Sequence, residues 1–170
     1  MQSSLEKIEW FLLFEPDPDN FALLKKNTEL NGYQNVILEN KTVSDRTQKM
    51  RLYLSPTTPA DHKIYDSSNS RKFIEVEAVS LDDYFKNYNR KIDFIKIDVQ
   101  GSESATILGM SLLLQKTKKL KMLLEFLPYG LTQFGIEPKD YLELLLKYNL
   151  KLFSIVNMKK KIEPTSIAVL

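Results

Sequence analysis

The chain alternates short apolar runs with amphipathic segments over most of its length. Residues 8–14 form an apolar run that ends at Glu15-Pro-Asp-Pro18, which predicts a buried strand halted by prolines. Asp17 then predicts a helix N-cap, with proline at the first helical position, and Asn31-Gly32 predicts the end of that helix. Glu15 is therefore expected at the carboxyl end of the first strand.

The same patterns predict the remaining elements. Further strands are predicted at residues 35–39, 49–54, 73–79, 92–99, 121–126, 150–156 and 166–170. Helices are predicted to begin after a Ser80 cap and to span residues 102–115 and 138–149, whereas residues 55–71 lack periodicity and predict a long surface loop. This alternation predicts one α/β domain over residues 1–170, with a mostly parallel sheet and helices on both faces.

The strand predicted at residues 92–99 carries polar residues where a buried parallel strand is normally apolar. Its alternation places Phe94, Lys96 and Asp98 on one face, and a Gln-Gly-Ser turn follows. Burying Lys96 and Asp98 is costly unless they are paired or open on a cleft, and the cleft of an open α/β sheet lies at the carboxyl ends of its strands. Asp98 is therefore expected at that cleft; the alternative is a Lys-Asp pair that only closes the strand.

Composition narrows the classes of function. At 170 residues, 43% hydrophobic and 27% charged, the chain suits a single globular domain, and its net charge of +2 gives no reason to expect a nucleic-acid partner. The absence of cysteine excludes disulfides, zinc-thiolate sites and thiol nucleophiles. The first residues lack the pattern of a secretory signal and no apolar run suggests a membrane span, so the expected location is cytoplasmic.

Glu15 is the first candidate for ligand binding. An acidic residue at a strand end, just before a helix, commonly accepts hydrogen bonds from both hydroxyls of a ribose. The alternative, a charge that stabilises the helix N-terminus, is weaker here because Asp17 and Asp19 already lie at that end.

Four segments together resemble the FkbM-type methyltransferases, over roughly residues 11–156. They are Phe14-Glu-Pro-Asp-Pro-Asp-Asn-Phe21, Val43-Ser-Asp45, Val79-Ser-Leu-Asp-Asp-Tyr84 and Asp93-Phe-Ile-Lys-Ile-Asp-Val-Gln-Gly-Ser-Glu103. The resemblance implies a Rossmann-like class I methyltransferase sheet and S-adenosylmethionine as cofactor. It also implies O-methylation of a hydroxyl on a small molecule or sugar, and it leaves homo-oligomer formation open.

The resemblance also implies roles for individual residues. Those expected at the cofactor are Glu15, Pro16, Asp17, Val43, Ser44, Asp45 and Asp98, with Glu15 at the ribose hydroxyls and Val43-Ser-Asp45 along the adenine. The candidate catalytic residues are Asp98, Glu103 and His62, and the candidate substrate contacts are Lys96, Glu125 and Tyr129. His62 is the only histidine and has the ordinary alternative of a solvated loop residue, while two acids are too few to assign a metal site.

The chain departs from the family at its beginning. The family starts with a strand and a glycine-rich turn against the methionine end of the cofactor, whereas this chain has no glycine before Gly32. The sheet is therefore expected to lack its first strand and helix. Two hypotheses account for this departure: the chain is a fragment of a longer enzyme, or it is a degenerate domain kept for binding or assembly. A nicotinamide-dependent oxidoreductase is a third hypothesis, weakened by the lack of a dinucleotide fingerprint.

Overall fold

The computed structural model describes residues 9–66, 71–88, 91–156 and 161–168. The strands are β1 (Phe11–Phe14), β2 (Val36–Glu39), β3 (Thr42–Val43), β4 (Gln48–Tyr53), β5 (Phe73–Val79), β6 (Phe94–Ile97), β7 (Lys121–Leu124), β8 (Phe153–Val156) and β9 (Lys161–Pro164). The α-helices are α1 (Pro18–Leu30), α2 (Leu81–Tyr84), α3 (Glu103–Leu108), α4 (Ser111–Lys116), α5 (Pro128–Phe134) and α6 (Pro138–Lys147), and Pro59–Asp61 forms a 3₁₀ turn.

The α/β class is confirmed, but the strands pair differently from the expected single sheet. Parallel ladders join β1 to β2, β3 to β5 and β6 to β7, whereas β4 runs antiparallel to β5 and β8 antiparallel to β9. These ladders make four separate small sheets, since none of the described strands bridges β1 and β6 by backbone hydrogen bonds. The carboxyl ends of both strands nevertheless border one cavity.

The core lies on the side of β6 and β7. Its buried members are Leu81, Ile97, Ile107, Met110, Leu114, Leu131, Tyr141, Leu142 and Leu145. The β1 side is less covered, because α1 contributes no buried residue and Phe11 of β1 is 51% exposed. The element that carries Asp98 is thus firmly packed, whereas the one that carries Glu15 is held mainly by its ladder and its caps.

The helix signals in the sequence act as predicted. Oδ1 of Asp17 accepts hydrogen bonds from the backbone of Asp19 and Asn20, Pro18 begins α1, and Asn31 caps its end. Ser80 caps α2 by accepting from the backbone of Asp83 at 3.1 Å. These signals are reliable because each cap is decided within one helical turn.

The helix predicted over residues 102–115 is two helices, which corrects the prediction. The chain breaks at Gly109, where a Cβ atom would lie 2.0 Å from the carbonyl oxygen of Ser44. The carboxylate of Asp82 then accepts from the backbone of Leu112 and Leu113, both at 2.9 Å, and so caps α4. A partner about 30 residues away in sequence therefore creates a second helix start.

Three further boundaries differ from the prediction. Residues 127–137, for which the sequence analysis gave no element, contain α5, with Pro128 at its first turn. The strand predicted at residues 166–170 is absent from 166–168, and 169–170 lie outside the described residues. β9 lies earlier and pairs with β8, while Ile167 packs beside the core. Thr42–Val43 adds a short strand that the sequence analysis did not predict.

Candidate active site

Glu15 follows β1 directly, as predicted, and faces a cavity of about 160 Å³. Its backbone N–H donates to the carbonyl of Glu39 at 3.0 Å, which extends the β1–β2 ladder by one step. Its Oε1 accepts from the backbone of Asp17 at 2.9 Å, and partial burial raises the pKa of the carboxyl. A partly desolvated carboxylate at a strand end is well suited to accept hydrogen bonds from ligand hydroxyls.

His62 brings the loop between β4 and β5 against the start of α1. Its Nδ1 accepts from the backbone N–H of Ser55 at 2.9 Å, and its Nε2 lies 3.6 Å from Oδ2 of Asp17. The side chain of Asn20 donates to the carbonyl of Pro59 at 3.2 Å and joins the same two elements. His62 lines the cavity and holds the loop against the start of α1, and its catalytic role stays a prediction.

The loop that carries His62 is held in place by ion pairs. Arg71 donates to both the backbone carbonyl and Oδ2 of Asp61, each at 2.8 Å. Lys63, itself buried, lies 3.4 Å from Oδ1 of Asp61, and these contacts hold the pKa of Asp61 below its usual value despite partial burial. These contacts hold the 3₁₀ turn in place, and its Pro59 and Ala60 line the cavity together with Glu15.

The predicted adenine segment is only partly at the cavity. Val43 lines it, whereas Ser44 is 1% exposed and donates its backbone N–H to Val79 at 3.1 Å. Asp45 pairs with Arg46 at 2.7 Å, which holds the pKa of Asp45 below its usual range. Asp17 likewise uses its carboxylate to cap α1. Of the residues expected to bind the ribose and the adenine, those that line the cavity are Glu15, Pro16 and Val43.

Asp98 follows β6 and lines the same cavity. Its Oδ2 lies 3.0 Å from the Lys96 ammonium and its Oδ1 accepts from the Gln100 side chain at 2.9 Å. Lys96 and Gln100 together hold the pKa of Asp98 below its usual value. The alternation predicted for this strand is confirmed, because Phe94, Lys96 and Asp98 are exposed while Ile97 is 4% exposed.

The remaining candidates lie outside the cavity lining. Glu125, after β7, is 3.4 Å from the Gln100 amide, and burial together with the charge of Asp98 raises its pKa. Tyr129 is 70% exposed on α5 and accepts from Gln133 at 2.9 Å. Glu103 is fully buried and bonds to the backbone of the turn after β6. The structure thus groups Asp98, Lys96 and Glu125, and it turns Glu103 inward.

Gln100 is a site residue that the sequence analysis did not single out. It lines the cavity and its amide lies between Asp98 and Glu125. The available signal was the Gln-Gly-Ser turn itself, in which φ of Gln100 is 55°, an uncommon conformation for a residue other than glycine. Among the described residues, no group of three or more histidine, aspartate or glutamate side chains could hold a metal ion.

The methyltransferase FkbM domain family matches residues 4–152, so the match begins earlier than the resemblance noted from residue 11. The chain belongs to the FkbM methyltransferase domain family. No curated protein matches the sequence.

One solved structure is similar to the chain. It is the crystal structure of methyltransferase FkbM from Methylobacillus flagellatus KT at 2.20 Å resolution, with 19% sequence identity and a TM-score of 0.46. The similarity covers 78% of this chain and 32% of that one, so this chain spans about a third of the length of that protein. In the described part of the chain, no helix is both long and apolar enough to cross a membrane.

Proposed function

We propose that this chain is an S-adenosylmethionine-dependent methyltransferase domain that methylates a hydroxyl oxygen on a small molecule or sugar. One observation carries the proposal: Glu15 and Asp98, each of which follows a strand of a different parallel pair, line one cavity at the carboxyl ends of their strands. That is where α/β sheets of the Rossmann-like type bind nucleotide ligands.

The residues at the cavity suit the two halves of the cofactor. Glu15 would accept hydrogen bonds from the ribose hydroxyls, and Val43 would contact the adenine, with Ser44 and Asp45 just beyond it. Asp98 would lie near the cationic methionine part, where an ionised carboxylate is favourable. The cofactor would supply the electrophilic methyl group together with its own leaving group.

The protein's own contribution is alignment and acceptance of a proton. Asp98, kept ionised mainly by Lys96, would accept a hydrogen bond from the acceptor hydroxyl and orient its oxygen. That proton would pass to Asp98 as the oxygen is methylated and from Asp98 to Glu125, which has the raised pKa of the two carboxyls and is the stronger base. The exposed Tyr129 would contact the acceptor at the edge of the site.

A second candidate is a methyltransferase-like module that binds a partner and has no activity. The cavity of about 160 Å³ favours it, because small-molecule sites usually enclose roughly 300–1,000 Å³. The exposed apolar side chains of Trp10 and Phe11 at β1 and of Phe94 at β6 favour it as well.

Calorimetric titration with S-adenosylhomocysteine tests the first candidate. The full 170-residue chain, an Asp98→Ala variant and an Asp93→Ala control are compared, since Asp93 lies at the opposite end of the same strand and pairs with Lys91. We expect micromolar binding that weakens at least about tenfold in Asp98→Ala and less than about twofold in the control. A folded chain that releases no heat contradicts the methyltransferase proposal, and binding of NAD instead would indicate an oxidoreductase.

A further inference from the structure

The turn between β6 and α3 has an unusual backbone. Gln100 and Gly101 have positive φ values of 55° and 104°. This conformation costs little for glycine, but for Gln100 it is unfavourable and must be maintained by surrounding contacts. The turn is also the segment that sets the direction of the Gln100 side chain, which donates to Asp98.

Glu103 holds this turn from the interior. Its side chain is 0% exposed, and its Oε1 accepts from the backbone N–H groups of Val99 at 3.3 Å and Gly101 at 3.2 Å. Because Glu103 is in the first turn of α3, whose residues 103–107 are all buried, the turn is tied to a fixed part of the core.

Other contacts also hold the backbone of this turn. The Tyr65 hydroxyl donates to the carbonyl of Gln100 at 2.8 Å, and the Ser102 hydroxyl donates to that of Val99 at 2.9 Å. A Cβ atom on Gly101 would lie 2.6 Å from the backbone of Gly130 and 2.7 Å from the Tyr65 hydroxyl. These contacts, together with those of Glu103, hold the backbone of the turn in place.

The second oxygen of Glu103 points into the protein. Oε2 is buried and has no hydrogen-bond partner among the described residues, and the same holds for the hydroxyl of Tyr141. Burial raises the pKa of Tyr141, and the negative charge of Glu103 raises it further, which indicates that the two groups interact. Glu103 thus faces the core and the backbone, and Glu103 does not line the cavity.

We propose that Glu103 is a positioning residue: by holding the amides of Val99 and Gly101 it fixes the left-handed turn that places Gln100 against Asp98 and Glu125. The inference rests on the proposed function, because the placement of Asp98 matters for activity when the cavity binds the cofactor. It replaces the catalytic role that the sequence analysis assigned to Glu103.

Two substitutions and a control separate positioning from general stabilisation. Glu103→Ala removes the acceptor, whereas Glu103→Gln keeps a carbonyl oxygen that can accept from both amides. Thr106→Val is the control, since the Thr106 hydroxyl is buried without a described partner in the same helix and does not contact the turn. Each variant is titrated by carbon NMR of the Asp98 carboxyl and by calorimetry with S-adenosylhomocysteine.

In Glu103→Ala we expect the Asp98 carboxyl to titrate at higher pH, because the Gln100 hydrogen bond that lowers its pKa is lost. Binding should weaken roughly tenfold in Glu103→Ala and less than about threefold in Glu103→Gln and Thr106→Val. If Glu103→Ala does not fold, Glu103→Asp replaces it, since the shorter side chain keeps the charge but not the reach.

An Asp98 titration that is unchanged in a folded Glu103→Ala or Glu103→Asp variant overturns the inference. A Glu103→Gln variant as impaired as Glu103→Ala also overturns it, because charge rather than the two amide bonds would then be the cause. Failure of the unmodified chain to bind S-adenosylhomocysteine would contradict the proposed function instead. The NMR titration needs no ligand and still decides the role of Glu103.

Discussion

The side-chain amide of Gln100 donates a hydrogen bond to Asp98, with Nε2 2.9 Å from Oδ1. The same nitrogen lies 3.4 Å from Oε2 of Glu125, so two carboxyls meet at one donor. The Lys96 ammonium, 3.0 Å from Asp98, is the main reason that the pKa of Asp98 is low, while burial and Asp98 raise the pKa of Glu125. Neighbouring carboxyls with opposite shifts are a common arrangement for acid-base chemistry.

The raised pKa of Glu125 predicts a pH-dependent gain of stability in Glu125→Gln. A carboxyl whose folded-state pKa lies above 4.5 resists ionisation, so its penalty is absent below the unfolded pKa and grows as the pH rises through the folded one. Glu125→Gln should therefore increase the free energy of unfolding at pH 7 and leave it unchanged below about pH 4. The gain should stay below about 1 kcal/mol because the carboxyl is exposed and screened by solvent.

Urea unfolding at both pH values measures this difference, with Glu143→Gln as the matched control. Glu143 lies 3.6 Å from Lys139 one turn earlier on α6, so its loss should lower stability at pH 7 by about 0.2–0.5 kcal/mol. Equal effects of the two substitutions would rule out a specific interaction at Glu125.

Glu15→Gln should weaken the binding of S-adenosylhomocysteine at least about tenfold, because a neutral amide loses the charge-assisted hydrogen bonds expected to the ribose. Asp19→Asn is the control, since Asp19 is an exposed acid in the first turn of α1 and does not line the cavity. It should change the dissociation constant less than about twofold. Titration calorimetry at fixed ionic strength measures both, and equal losses would mean that general negative charge, not Glu15, attracts the ligand.

Features decided within a few residues could be predicted from the sequence. The Asp17-Pro18 start of α1, its end at Asn31-Gly32 and the placement of Glu15 after its strand agree with the structure, whereas Asp98, predicted inside a strand over residues 92–99, follows β6 (Phe94–Ile97). Caps and alternation depend on local geometry and therefore remain visible in a single sequence. The family resemblance added the expectation that the two acids belong to one site.

Features that depend on distant partners could not be predicted. The contact of His62 with Asp17, the cap that Asp82 places on α4, and the pairing of strands into separate sheets all join residues far apart in sequence. The orientation of Glu103 was also hidden, because an acid in the first turn of a helix is equally typical of a solvated N-terminus. The fold class was therefore accessible, while the direction of individual site residues was not.

Asp17→Ala should lower the free energy of unfolding by about 1–2 kcal/mol, because it removes the acceptor for two backbone N–H groups of α1. Asp17→Asn keeps a capping oxygen and should lower the free energy of unfolding by roughly a few tenths of a kcal/mol at most, as asparagine and aspartate are similarly good N-caps. Asp140→Ala is the control. Asp140 is an acid in the first turn of α6 but is not its N-cap, which is Glu137, so this variant shows how much a negative charge in the first turn contributes to stability by itself. Urea unfolding compares the three; a loss in Asp140→Ala as large as in Asp17→Ala would assign the effect to helix charge.

Gly109→Ala should disturb the segment proposed for the adenine. The backbone of Gly109 has φ −71° and ψ −2°, which alanine adopts easily, so the cost comes from contact and not from conformation. The added Cβ would lie 2.0 Å from the carbonyl oxygen of Ser44 and 3.2 Å from Cα of Asp45, and backbone atoms yield less readily than side chains. We expect a loss of about 1–3 kcal/mol in the free energy of unfolding and weaker binding of S-adenosylhomocysteine.

Gly32→Ala separates this contact from conformational strain. Gly32 has φ 67° with no atom within 4 Å of the added Cβ, so alanine there should cost about 1 kcal/mol from the left-handed backbone alone. Because Gly32 lies at the far end of α1 from Glu15, its substitution should leave binding unchanged. Unfolding and calorimetric titration of both variants decide the matter: if Gly109→Ala binds as well as Gly32→Ala, the Ser44–Asp45 segment takes no part in holding the ligand.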